Sequence, residues 1–144
     1  MILIIVISII FLDQLTKALA VNLLQLNTPV ALINNFLYLT LVHNRGAAFG
    51  ILKNQLLLFI AISFCAILFI FIHLKEKKNS LLLKLALSLI LSGAVGNLID
   101  RLRFGYVIDF LDFRFWPVFN LADSVLTIGA LLLSWELLFN KNAA

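Results

Sequence analysis

Four apolar runs, each close to the length of a bilayer span, constrain this chain more than any other feature. They cover residues 1–24, 55–74, 81–99 and 122–139. Crossing a hydrocarbon core as a helix takes about 20 apolar residues. In lipid every backbone polar group must be satisfied internally, so we read all four as helices. Together they occupy most of the 144 residues and leave little for a soluble domain. We expect a single integral membrane domain over 1–144, an all-α membrane protein of four transmembrane helices. The balance of 63% hydrophobic to 12% charged residues excludes an ordinary soluble domain, which carries about 25% charged residues. Disorder is excluded on the same ground. The single cysteine, Cys65, lies inside an apolar run and has no intrachain partner.

The first run has a rival reading as a cleaved signal, because Ala18-Leu19-Ala20 imitates a small-residue cleavage site. It lacks a basic leading region, and Asp13 and Lys17 interrupt the approach to that site, so we read a retained span. An even number of spans puts both termini on one side. The short link between the second and third spans carries Lys75, Lys77 and Lys78 with Lys84 just beyond, which places that side in the cytoplasm. The opposite face then collects Asp13, Lys17, Asn44, Arg45, Asn97, Asp100, Arg101, Asp109, Asp112, Asn120 and Asp123. Polar side chains at membrane depth are costly and mark function.

The connection over 25–54 is patterned. Phe36, Tyr38, Thr40 and Val42 alternate with Leu37, Leu39, Leu41 and His43, a period of two that predicts a strand. Asn34-Asn35 predicts a turn back onto 30–33, giving a small surface hairpin, and 47–52 is read as a short interfacial segment. The second connection covers 100–121. In the third span Ser88, Ser92 and Gly96 recur at every fourth residue, a small-residue stripe that admits a neighbouring helix.

Several chemistries fall away. His43 and His73 lie on opposite sides, and neither has a second ligand at helical spacing, so no metal site is expected. Ser124 has a neighbouring acid but no base. Gly93 to Gly96 lack the lysine-serine ending of a phosphate loop. Carboxylates remain. Asp13 and Lys17 form an i, i+4 pair, read as easing a helix end into the interface. Asp100, flanked by Arg101 and Arg103, reads as an ionised member of a structural ion pair. Asp109 stands in an apolar stretch without an adjacent cation, where burial would raise its pKa. Asp112, nearer Arg114, is its closest competitor. Asp123 fits both an N-terminal helix cap with Asn120 and a catalytic acid. Two carboxylates in one small site cannot easily both ionise, so one holds a proton while the other acts as base. Such a pair hydrolyses an amide without metal or covalent intermediate.

The motifs, in order, resemble those of the prolipoprotein signal peptidases (signal peptidase II), bacterial aspartyl endopeptidases. They are Asp13-Gln14-Leu15-Thr16-Lys17, Asn44 through Gly50, Gly93 through Arg101, Tyr106-Val107-Ile108-Asp109-Phe110, and Phe119 through Ser124. The resemblance implies Asp109 and Asp123 as the catalytic pair. It implies Asn44, Arg45, Asn97, Asp100, Arg101 and Asn120 as substrate-binding or site-supporting residues, and Asp13 with Lys17 as a structural pair. It further implies cleavage of diacylglyceryl-modified prolipoproteins just before the lipidated cysteine, at the bacterial inner membrane, with the active site near the extracytoplasmic face. No cofactor is implied; globomycin is the expected inhibitor. The interval from Asp109 to Asp123 is short for this family, which bears on substrate gating. The basic pI of about 9.5 suits contact with anionic membrane lipids, and no nucleic-acid motif is present. A rival from another class is a small transporter or channel using intramembrane carboxylates.

Overall fold

The computed structural model describes residues 2–46, 54–74 and 80–139. The predicted interfacial segment at 47–52 and the lysines at 75, 77 and 78 lie outside the described residues. Four helices are long and apolar enough to cross a membrane: α1 (Ile2–Leu23), α2 (Leu56–Leu74), α3 (Leu81–Phe104) and α4 (Leu121–Phe139). Between α1 and α2 lie β1 (Val30–Ile33) and β2 (Leu37–Asn44); between α3 and α4 lies β3 (Val107–Asp112). The strands form one antiparallel sheet in the order β1-β2-β3. It caps the end of the bundle at which α1 and α3 finish and α2 and α4 begin.

The predicted hairpin is present. Asn35 adopts φ +62, the left-handed conformation that asparagine tolerates, and Phe36 N–H closes the turn onto the Ile33 carbonyl at 3.1 Å. Two boundaries differ from expectation. α3 runs to Phe104 rather than stopping at 99, so Asp100, Arg101 and Arg103 belong to a helix and not to a connection. Its stop signal is Gly105, whose φ of +78 favours a residue without a side chain, and whose N–H returns to the Arg101 carbonyl. The stretch after it is β3. Its residues carry no alternation because Val107, Ile108, Asp109 and Phe110 are all buried, a strand covered on both faces.

α3 is the central helix and packs against each of the other three. Its stripe of Ser88, Ser92, Gly93 and Gly96 is buried. Ser88 and Ser92 return their hydroxyls to the carbonyls four residues back, both at 2.6 Å, and so present no unmet polar group. At Gly93 the α4 backbone comes so close that a methyl group would collide with the Ala122 carbonyl. At the far end Ser80 caps α3 by accepting from Leu83 N–H at 2.9 Å, and its hydroxyl donates to the buried Glu136 of α4. Leucine, isoleucine and phenylalanine side chains cover the outside, whereas Asp13, Lys17, Ser88, Ser92, Asp100 and Asn120 are nearly inaccessible. That inversion is what a lipid-facing bundle requires.

Gly93→Ala forces α3 and α4 apart or shifts their backbones, and overpacking of this kind costs about 1–3 kcal/mol. A lowered unfolding midpoint in detergent micelles is the expected result.

Candidate active site

Five elements, α1, β2, α3, β3 and α4, bring the polar residues together. The first component is a buried charge cluster. Lys17 Nζ lies 2.9 Å from Asp13 Oδ2 and 2.8 Å from Asp100 Oδ2, all three side chains being almost fully buried. Its remaining donor reaches Asn97 Oδ1 at 2.9 Å. Gln14 links the two acids by donating to Asp13 Oδ2 at 3.2 Å and Asp100 Oδ1 at 3.0 Å. The pair of Asp13 and Lys17 therefore lies inside the bundle, not at the interface, because α3 supplies a second acid. That acid, Asp100, pairs with Lys17 and not with the flanking arginines. Arg101 instead lies over the Phe59 ring at 5.0 Å, and Arg103 over the Phe104 ring at 4.9 Å. Gly96 admits this cluster, since a methyl group there would stand 2.6 Å from Asp13 Oδ2.

The second component is the aspartate pair. Asp109 is 1% exposed. Its Oδ2 accepts from Asn44 Nδ2 at 2.9 Å and its Oδ1 from Asn120 Nδ2 at 2.7 Å. The β2–β3 register sets Val42 opposite Asp109 and Asn44 opposite Val107, which brings Asn44 within reach. Gly46 N–H occupies Asn44 Oδ1 at 3.0 Å and so turns the amide nitrogen toward the acid. Asp123 accepts from Asn97 Nδ2 at 2.7 Å and from Asn120 N–H at 3.3 Å. Asn120 Oδ1 accepts from Asp123 N–H at 2.9 Å, so the two residues cap α4 reciprocally. One asparagine thus touches both acids, by its amide nitrogen and by its oxygen.

Burial, then the negative charge of Asp123, pushes the Asp109 carboxyl up to about 7, against the donors of Asn44 and Asn120 and the charge of Lys17. Asp112 behaves differently. Burial would raise it, but Thr40 Oγ1 at 2.8 Å, Arg114 N–H at 2.8 Å and the Arg114 guanidinium at 3.2 Å hold it below the usual carboxylate range. The structure therefore separates these competitors. Asp109 faces the asparagines, and Asp112 is committed to Thr40 and Arg114.

A cavity of about 440 Å³ opens beside the pair, with Asn44, Asn97, Arg101 and Asp123 in its wall. Arg101 also faces the charges of Asp109 and Asp100. Arg45 is exposed, and its backbone carbonyl accepts from Asn54 N–H at 3.0 Å. The sequence reading missed the other walls. Phe59, Ile62, Ser63 and Ala66 line the cavity from α2, and Trp116 to Phe119 from the link before α4. The α2 residues follow the i, i+3, i+4, i+7 spacing of one helix face, but in a uniformly apolar span that face has no contrast. Among the described residues, no three His, Cys, Asp or Glu side chains converge as metal ligands would.

A family profile described as Signal peptidase (SPase) II matches residues 5–139. The chain belongs to the signal peptidase II family. Relatives named lipoprotein signal peptidase include one from Halothermothrix orenii, 49% identical over 92% of this chain and 92% of the relative. Another, from Clostridioides difficile, is 44% identical over 94% of this chain and 93% of the relative. A solved bacterial membrane enzyme superimposes with a TM-score of 0.90 at 34% identity, covering 97% of this chain and 90% of that one. A second gives 0.87 at 33% identity, covering 97% and 94%. This is a multi-pass membrane protein of a peptidase family, and the transporter reading is not favoured.

Because the folded chain keeps the Asp109 proton up to about 7 and an unfolded aspartate loses it near 3.9, the folded state binds more protons between these values. This contribution to stability falls as pH rises through that window and levels off above it. Asp109→Asn removes that part of the pH dependence, as unfolding midpoints between about pH 4 and 7, the window set by those two values, will show.

Proposed function

We propose that this chain is an aspartyl endopeptidase that removes the signal peptide from diacylglyceryl-modified prolipoproteins, cutting just before the lipidated cysteine. The observation that carries the reading is Asn120, whose amide nitrogen donates to the Asp109 carboxyl while its oxygen accepts from the backbone N–H of Asp123. The two acids come from different elements, β3 and α4, and a single side chain sets their separation. Asp109, the more deeply buried, holds the proton. Asp123, at a helix N-terminus with two N–H donors, is the base.

Asp123 takes a proton from water, and the water oxygen bonds to the scissile carbonyl carbon. Asp109 gives its proton to the carbonyl oxygen as that double bond becomes single. The tetrahedral adduct collapses when Asp123 returns its proton to the leaving nitrogen, the C–N bond breaks, and Asp109 regains a proton from the hydroxyl. Arg101 faces the charge that passes between the acids. Asn44 and Asn97 orient the pair, and Arg45 meets substrate at the cleft edge.

In this reading the whole chain is one domain of the bacterial inner membrane. The sheet and the acids lie near the extracytoplasmic face and both termini in the cytoplasm, as the lysine-rich link suggests. A scissile bond fixed at the bilayer edge by its own acyl chains suits an acid pair held there. No metal takes part, and globomycin competes for the cavity.

Purified protein and a diacylglyceryl-modified prolipoprotein test the reading. Asp109→Asn and Asp123→Asn each lower turnover by about 10²–10⁴-fold, and the double variant falls little further, because the two act as a unit. Chelator leaves turnover unchanged. Signal-peptide release that persists in Asp109→Asn overturns the assignment.

A further inference from the structure

We infer that Lys17 is a positioning residue for hydrolysis, orienting Asn97 on Asp123 while its two acid partners hold the backbone just ahead of each catalytic aspartate. The inference rests on the aspartyl reading above and assigns Lys17 more than the structural role expected of an i, i+4 pair.

Two acids already neutralise a buried ammonium. Lys17 nevertheless spends its third hydrogen on a neutral amide, Asn97 Oδ1 at 2.9 Å. An asparagine amide fits its site in two orientations of nearly equal shape. Here the oxygen must face the ammonium, since the reverse orientation would set an NH₂ group against a buried cation. Asn120 Nδ2, at 3.1 Å from the same oxygen, enforces the same choice. The Asn97 nitrogen is left facing Asp123 Oδ1 at 2.7 Å. Lys17 on α1, together with Asn120, thus sets α3 to offer Asp123 a donor and not an acceptor.

The acids carry the rest. Asp13 Oδ1 accepts from Ala122 N–H at 2.9 Å, one residue before Asp123. Asp100 Oδ2 accepts from Ile108 N–H at 3.1 Å, one residue before Asp109. Neither contact is needed to balance Lys17. Both fix the backbone from which a catalytic carboxyl projects, one on α4 and one on β3. Among the described residues every fully buried side-chain nitrogen and oxygen has a partner.

The charged groups around Asp123 are Asp13 and Lys17 from α1, Asp100 and Arg101 from α3, and Asp109 from β3. Removing Lys17 alone would strand two buried acids and endanger folding. Lys17→Met with Asp100→Asn keeps the cluster's net charge. Asn97→Leu leaves Lys17 with both acids and takes the donor from Asp123 without adding a charge. Full-length protein in micelles is assayed on a diacylglyceryl-modified prolipoprotein for kcat, KM and the pH dependence of kcat, with thermal unfolding measured beside it.

In folded Lys17→Met/Asp100→Asn, kcat drops about 10²-fold while KM stays within about twofold. The acidic limb of its pH profile moves up by about one unit, because the charged form of the base has lost an oriented donor. Asn97→Leu shows the same displacement and decides the matter if the double variant does not fold. A pH profile left in place overturns the inference. Turnover that survives Asp109→Asn overturns the aspartyl reading itself; normal dependence on both aspartates with an unmoved profile overturns only the role of Lys17.

Discussion

An ammonium group inside a lipid-facing helix bundle has to be paired, and the pairing of Lys17 with Asp13 and Asp100 organises the rest of this molecule. Breaking a buried ion pair by removing one partner costs about 3–5 kcal/mol. The three side chains therefore act as a register mark between α1 and α3. Because Asp13 turns its other oxygen to Ala122 N–H and Asp100 shares Oδ2 between Lys17 and Ile108 N–H, the same cluster also reaches the start of α4 and the start of β3. Little of the organisation at this end comes from the apolar effect, since lipid is as apolar as the helix surfaces. Hydrogen bonds, close backbone approach at Gly93 and Gly96, and charge pairing take its place.

Much of this was legible in the residues. The spans follow from length and hydropathy, and the hairpin follows from period-two alternation and Asn34-Asn35. The reciprocal cap of Asn120 and Asp123 was readable from four consecutive residues, since capping is a local interaction. Other features depend on partners distant in sequence. β3 could not be recognised by alternation, because with α1 and α3 packed on it both of its faces are buried. The end of α3 was placed too early because Asp100 and Arg101 look like residues leaving the membrane. Asp100 is in fact tolerated within the helix by a lysine more than eighty positions away.

The contrast between Asp109 and Asp112 shows the same limit. On one strand, three residues apart, both are acids in apolar surroundings. The strand register decides between them, setting Tyr38 opposite Asp112 and Val42 opposite Asp109. One acid thereby meets Thr40, and the other meets only amides. Arg114, two residues beyond Asp112, is the one local sign of the difference.

α2 is the least embedded of the four helices: Ile70 is its single buried residue, and α3 is its main neighbour. Yet Phe59, Ile62, Ser63 and Ala66 make it one wall of the cavity. In the proposed reaction an apolar peptide already dissolved among acyl chains meets this wall first, and its path to the acids is two-dimensional diffusion within the bilayer, without being drawn up into water.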